Sequence, residues 1–365
     1  MKIQQIQLTD YRNYSKQSLA LGNGLNFILG QNGEGKTNFL ESIYVLGLSK
    51  SYRSEDMDLI RFQSDFTKIK ATISTKDNLQ EMSIVVSELG KKVLVNNQEV
   101  KRLSDYVGNL NIVLFAPEDL NLVKGSPVGR RYFFDIVLGQ VDKTYLKDLS
   151  DFKYILKQRN ELLKQMQLHP TKDETMLDIL TEQLSVAMEK IIQAREKFIV
   201  NISKRASKNY QFLTTKNESF TLTYLPSISG NVLQSLKSRY KTDIQSGTTN
   251  YGPHRDDFDF MIADKSAKGH ASQGEQRLII LAIDLALIDY IFDQKNDKPI
   301  FLLDDVLSEL DTEKQNRLLN YLLSTGGQAI ITATGVLEIN QDILKQSKIF
   351  RVVKGYIKED LKHGQ

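Results

Sequence analysis

The chain has 365 residues, long enough for one large domain or two ordinary ones with well-buried cores. Hydrophobic residues at 41% and charged residues at 25% are ordinary soluble globular usage, and a net charge of +3 neither demands nor excludes a polyanionic partner. The lack of cysteine rules out disulfides and thiolate metal sites, and the four histidines (His169, His254, His270 and His363) are too dispersed to read as a zinc site.

The amino terminus, Met1 to Leu8, lacks the apolar core of a signal peptide. The most apolar stretch, Leu278 to Phe292, is interrupted by Asp284 and Asp289 and falls short of the roughly 20 residues that span a bilayer. It reads as a buried helix, and a cytoplasmic protein is expected.

In chain order, strands are expected over 3–8 and 24–29, the second apolar enough to be buried on both faces. A glycine-rich turn leads into a helix over 36–48. Strands follow near 67–74, 81–88 and 91–95, the last two joined through Glu88-Leu89-Gly90-Lys91 as a hairpin. Residues 111–115 form one more buried strand, closed by Pro117. From Pro127 to Tyr210 turn signals are sparse. Leu146, Leu149, Phe152, Ile155, Leu162 and Met166 keep one apolar face through a helix near 143–167. After a break at His169-Pro170, Thr171 and Glu174 make a capping box that opens a second long helix to about Lys208. The pair reads as an antiparallel helical hairpin, and at about 25 residues a helix is roughly 37 Å long, which implies a compact lobe. Helix 273–293, strand 299–303, helix 311–324 and strand 328–332 then restore the α/β alternation. The expected organisation is an α/β unit from 1–116 and 251–365, interrupted by a mainly helical lobe over 117–250.

Gly30-Gln31-Asn32-Gly33-Glu34-Gly35-Lys36-Thr37 fits G-x-x-x-x-G-K-[ST] at every fixed position. The glycines let the backbone wrap closely and aim N–H groups at phosphate oxygens. Lys36 supplies charge for the β- and γ-phosphates, Thr37 a hydroxyl for Mg²⁺, and the following helix, from Asn38 on, the positive end of its dipole. A glycine-rich turn can match this pattern by chance, but here a buried strand precedes it and a helix follows, as nucleotide binding requires. The strand 300–303 ends in Asp304-Asp305, where carboxylates would otherwise simply cap a loop. Beside a phosphate loop, Asp304 is the candidate to hold Mg²⁺ through water opposite Thr37, and Asp305 to orient or deprotonate the attacking water. Lys36 and Asp304 are separated by most of the chain, far more than in a small GTPase or nucleoside kinase. Between them, Ser272-Gln273-Gly274-Glu275 opens the apolar helix with a hydroxyl, a close-approaching glycine and free N–H groups. In isolation it is a plain helix cap. Its order among the other motifs argues otherwise.

Gly30–Thr37, Ser272–Glu275, Leu302–Asp305 and Ser308-Glu309-Leu310-Asp311 together resemble the ATP-binding-cassette ATPases, and within them the SMC-like DNA repair branch. Leu8-Thr9-Asp10-Tyr11-Arg12-Asn13-Tyr14, Pro117-Glu118-Asp119-Leu120, Arg130-Arg131 and Tyr251-Gly252-Pro253-His254-Arg255-Asp256-Asp257 narrow the resemblance to the RecF family of bacterial recombination proteins, over nearly the whole chain. The resemblance implies an ABC-type head with a mixed sheet around the phosphate-loop helix. It also implies two ATP molecules sandwiched between two copies, Ser272 of one completing the triphosphate gripped by Lys36 of the other, with Ser308 and Asp311 at the dimer seam. Arg12 joins the nucleotide-contact candidates. Asp305 stands where the wider class usually has glutamate, and Thr332-Ala333-Thr334 lacks its γ-phosphate-sensing histidine, leaving Thr334 at that place. No glutamine links Mg²⁺ to the lobe near Phe115–Leu120; Glu118 or Asp119 stands there. Slow hydrolysis, suited to a switch, is expected.

The resemblance further implies ATP-dependent binding to gapped or single-strand/duplex junction DNA, with RecO and RecR as partners. Independent support is modest: Arg195, Lys197, Lys204, Arg205 and Lys208 stand against Glu196 alone, and Arg130-Arg131 is a second basic pair, which without the resemblance would read as a solvated face. A transporter ATPase would show the histidine and lack the Tyr251–Asp257 block, a chromosome-structural protein would need hundreds of residues of heptads, and a nuclease would need an additional acidic cluster.

Overall fold

A computed structural model describes residues 1–169, 174–214, 218–336 and 339–360. The chain divides into two compact units: Met1–Asp119 with Phe212–Thr215 and Ser272–Gln365, and Leu120–Gln211 with Lys216–Ala271. In chain order the strands are β1 (Lys2–Tyr11), β2 (Tyr14–Ala20), β3 (Leu25–Leu29), β4 (Phe66–Ser74), β5 (Leu79–Ser87), β6 (Gly90–Val95), β7 (Gln98–Glu99) and β8 (Ile112–Phe115). Then come β9 (Phe220–Leu225), β10 (Asp257–Ile262), β11 (Lys265–Ser266), β12 (Ile300–Leu303), β13 (Ala329–Ala333), β14 (Lys348–Val353) and β15 (Tyr356–Glu359).

The first unit holds two six-stranded sheets. One, ordered β2-β1-β4-β5-β6-β7, is antiparallel. Its strands alternate as a half-buried sheet must: in β4, Thr67, Ile69, Ala71 and Ile73 point inward while their neighbours face out. The other, ordered β15-β14-β3-β13-β12-β8, is parallel except for its β15 edge. There β3, β8, β12 and β13 are buried along their full length, the mark of strands covered on both faces. Helix Lys36–Leu48 lies between the sheets, its Phe39, Leu40, Ile43 and Leu46 sharing one core with Ile6 and Leu8 of β1, Ile69 of β4 and Leu302 of β12. Helix Gln273–Lys295 packs on β8 and is buried from Leu278 through Ile288.

The expected mixed sheet and phosphate-loop helix are therefore present, with four strands the sequence pattern did not give, β2, β7, β14 and β15. The β5–β6 turn at Glu88-Leu89 pairs Ser87 with Gly90, as the hairpin reading required.

The second unit is mainly helical: Pro127–Val141, Lys143–Leu168 and Glu174–Thr214, the last ending just past the unit's border. Asp142 caps the second of these through Thr144 and Tyr145 amides. The Arg159–Thr181 and Lys190–Asp148 bonds set the two long helices antiparallel. Thr171 of the expected capping box lies outside the described residues. Two expectations need correction. The 41-residue helix Glu174–Thr214 is about 60 Å long, well beyond the 37 Å estimate. And the return to the α/β unit comes at Ser272, not at 251, because β10 pairs with β9 in a three-stranded sheet of the helical unit, so the Tyr251–Asp257 block belongs there.

Candidate functional site

The phosphate loop leaves the buried end of β3 and turns into helix Lys36–Leu48. Gly33 (φ +85°) and Gly35 (φ +115°) take left-handed backbone that only glycine adopts at little cost, and a Cβ on Gly35 would stand 2.4 Å from Asn13 Nδ2. The turn after β1 buttresses the loop: Asn13 Nδ2 donates to the Glu34 carbonyl (2.9 Å), Tyr14 OH to the Gly35 carbonyl (2.8 Å) and Asn38 Nδ2 to Asn13 Oδ1 (2.8 Å). Glu34 accepts from the Gln31 amide. The buried Lys36 folds its Nζ over the loop onto the Gly30 and Gln31 carbonyls, at 2.9 and 3.1 Å. A cation, the helix dipole and loop amides thus converge where a polyphosphate would lie, and no acidic residue occupies the first turn to repel it.

Beside the loop, Thr37 Oγ1 donates to Asp304 Oδ1 at 2.9 Å. The Thr332 hydroxyl donates to the same oxygen at 2.7 Å and accepts the Asp305 amide at 2.8 Å, so one side chain from β13 sets both aspartates at the end of β12. Hydroxyl and carboxylate oxygens side by side are the hard donors Mg²⁺ takes while keeping most of its waters, so the residues present fit that ion. Asp305 is itself left-handed (φ +51°), with Ser308 Oγ donating to its carbonyl (2.8 Å). Burial raises its carboxyl affinity for a proton; Lys36 opposes this, while Asp304 and Glu309 add to it. Ala333 accepts from the Gly30 amide (3.3 Å), leaving exposed Thr334 beside the start of the loop.

Arg12, also left-handed (φ +51°), does not hang free in a cleft. Its Nε and Nη2 hold the fully buried Glu41 at 3.0 and 2.8 Å. The same carboxylate accepts from Tyr11 OH (2.9 Å), Ser51 Oγ (2.7 Å) and Arg53 Nη2 (3.0 Å), and Arg53 also reaches Asn38 Oδ1. Arg12, Asn13, Asn38 and Arg53 consequently line one polar cleft of about 530 Å³. Sequence reading missed Glu41 and Arg53. The available signal was Glu41 itself, a lone charge in the apolar run Phe39–Leu48.

Ser272 N-caps helix Gln273–Lys295 in a full capping box with Glu275, and Ser272, Gln273 and Gly274 are exposed. Two residues on, Arg277 pairs with Glu309 at 2.5 Å, which ties this helix to the Asp305–Ser308 turn. Asp311 N-caps helix Thr312–Thr325 through the Lys314 amide, and Lys314 pairs with it. Of the two acids expected in place of glutamine, Asp119 turns inward to accept the Ala116 amide (2.7 Å), whereas Glu118 is exposed and acts with Asp304 on the Tyr52 hydroxyl.

Two residues expected to meet DNA are corrected. Arg130 is buried and forks onto Asp257 (2.6 and 2.9 Å), and Arg195 is buried among Asp135, Asp256 and the Pro253 carbonyl. Buried guanidiniums already forked onto carboxylates have no face left for phosphate. Lys204 is exposed, Arg205 and Arg131 are half-buried, and Arg131 donates to the Asp256 carbonyl at 2.6 Å. Among the described residues no helix is long and apolar enough to cross a membrane, and no cluster of three or more acidic or histidine side chains could hold a metal.

The family model for the RecF/RecN/SMC N terminal domain matches residues 2–357. The DNA replication and repair protein RecF of Geobacillus sp. (strain WCH70) is 42% identical over 98% of both chains, and that of Staphylococcus haemolyticus (strain JCSC1435) is 41% identical over 98% of this chain and all of its own. Among solved structures, the recombination mediator protein RecF-ATP in the RecFOR pathway superposes with a TM-score of 0.90 at 28% identity, covering 98% of this chain and 97% of that one. An Smc head domain from Pyrococcus furiosus (18% identity, TM-score 0.56, 98% of this chain and 95% of that one) shares the fold. With that match along almost its whole length, placed on a phosphate loop, a Ser272 cap and an Asp304 strand end in family order, the chain belongs to the RecF family, within the SMC-like ATPase heads.

Proposed function

We propose that this protein is an ATP-switched DNA repair factor: ATP with Mg²⁺ binds in the Gly30–Thr37 loop, two copies close head to head over it, and slow hydrolysis reopens them. The Lys36–Thr37–Asp304 constellation carries this reading. Lys36 and the loop amides would hold the phosphates, and Thr37 and Asp304 would hold the ion, whose charge would offset that developing on the phosphoryl oxygens. Asp305 orients the attacking water, and its short side chain favours a slow timer. Among the described residues the exposed Ser272 side chain bonds only within its capping box with Glu275, which supports its use by the twin's nucleotide, with Ser308 and Asp311 near the seam. Its target in this reading is gapped or junction DNA in the cytoplasm with RecO and RecR as partners, which the family resemblance implies and the RecFOR context of its solved relatives supports.

The test separates binding from pairing. Lys36→Ala should abolish ATP binding in calorimetry and with it every ATP-dependent property. Ser272→Ala should bind ATP normally yet form no ATP-induced dimer in light scattering. Equal dimerisation of wild type and Ser272→Ala, or a nucleotide-bound crystal with Lys36 and Ser272 of one molecule on one phosphate, would overturn the sandwich.

A further inference from the structure

Of the seven residues in the Tyr251–Asp257 block, six are spent on holding the helical unit together. Tyr251 stacks under the Arg239 guanidinium, 4.2 Å from the ring centre. Gly252 sits at φ +126°, where a Cβ would meet Met188 Cε at 2.4 Å. The Pro253 carbonyl accepts from Arg195 (2.8 Å), and His254 Nε2 bonds the Thr249 carbonyl (2.9 Å). Asp256 takes Arg195, Tyr224 and the Ser227 amide, and Asp257 takes Arg130. Arg255 differs. It is exposed, and its guanidinium makes no hydrogen bond or ion pair among the described residues.

The charge balance of this corner is lopsided in a way that bears on partners. Asp135, Asp243, Asp256 and Asp257 face three buried arginines, Arg195 serving both Asp135 and Asp256, Arg159 serving Asp243 and Arg130 serving Asp257, which leaves one carboxylate charge for Arg131 to balance. The cation left over is the exposed Arg255; the half-buried Arg131 bonds the Asp256 carbonyl at 2.6 Å, one residue away. Burial foremost, and then the neighbouring Arg195, weaken Arg131's hold on its proton, while Asp256, Asp257 and Asp135 oppose them.

We propose that Arg255, with Arg131 beside it, is a phosphate-contact site for the DNA backbone, placed on the helical unit by the buried carboxylate network beneath it. The site rests on the DNA-binding reading given above. Two adjacent fork-shaped donors suit the closely spaced phosphates of a strand and carry no base information.

The experiment is fluorescence anisotropy of the full chain with ATP and Mg²⁺ on a labelled duplex with a single-stranded overhang, titrated over a range of KCl. Arg255→Ala should bind roughly three- to ten-fold more weakly at low salt, and its log-log salt slope should be shallower by about 0.9, the loss of one phosphate contact. Arg255→Lys should keep most of the slope, Arg255→Glu should weaken binding further, and all three should keep wild-type ATP-induced dimers, as expected of an exposed side chain. A wild type that binds no DNA overturns the DNA reading and the site with it. A wild type that binds while Arg255→Ala matches it in affinity and slope overturns the site alone, even if the variant loses an acidic protein partner instead.

Discussion

Asp284 sits in the middle of helix Gln273–Lys295, fully buried, with neither carboxylate oxygen hydrogen-bonded among the described residues. Burial, with a smaller push from the charge of Asp119, raises its proton affinity well above that of an ordinary aspartate. Asp119 is itself pushed up to about 7 by burial. The consequence for stability has a definite sign. Below about pH 4 both the folded and unfolded chains carry the Asp284 proton, and it contributes no pH dependence. Above that, the unfolded chain releases the proton and the folded chain keeps it, so stability falls by ~1.4 kcal/mol per pH unit until the folded carboxyl also ionises. Asp284→Asn keeps the shape and removes the titration. Measured by urea unfolding of the two proteins side by side, the variant's advantage should grow by roughly 2–3 kcal/mol between pH 5 and pH 7, where Asp119 still mostly holds its proton and groups that do not act on Asp284 cancel in the difference. A difference that stays constant across that range would mean the carboxylate is ionised and partnered, and the reasoning from burial would fail.

Glu41→Gln should cost about 2–3 kcal/mol at pH 7, because two guanidiniums lose their shared counter-charge, and should weaken ATP binding in calorimetry as Arg12 and Arg53 lose their anchor. Burial opposes the Glu41 charge but bonds from Arg12, Arg53 and Ser51 win, holding its carboxyl at about 2, so this wild-type advantage should be full above about pH 4.5 and fade as pH falls toward 2 in urea melts. Thr332→Val should leave ATP affinity nearly unchanged while lowering Mg²⁺-dependent phosphate release at least ten-fold, since its hydroxyl sets both Asp304 and Asp305; unchanged turnover would remove Thr332 from the site. Arg277→Ala should free Glu309 and reduce ATP-induced dimerisation in light scattering without affecting nucleotide binding by the monomer.

Much of the head was legible because its signals are local. A strand, a glycine-rich loop and a helix must follow one another for a phosphate loop to work, and the dihedral demands at Gly33 and Gly35 are written into the residues themselves. The helices near 143–167 and 273–293 were likewise visible, as their apolar periodicity and caps lie within the segment. Strands β2, β14 and β15 were not, because a short strand owes its pairing to a distant neighbour: β14 exists against β3, and Gln17 of β2 meets Ile357 of β15.

For the same reason the sequence could place Arg12, Arg130 and Arg195 in a motif or a basic run but not say which way each charge pointed. Local pattern fixed the phosphate loop, the Ser272 cap and the Asp304 strand end, since their chemistry depends on adjacent residues. Tertiary packing alone decided that Arg12 shares Glu41 with Arg53, that Thr332 orders two aspartates, and that Arg130 and Arg195 are buried while Arg255 is exposed. A charge is neutralised by whatever lies within a few ångströms in space, and only the folded chain determines what that is.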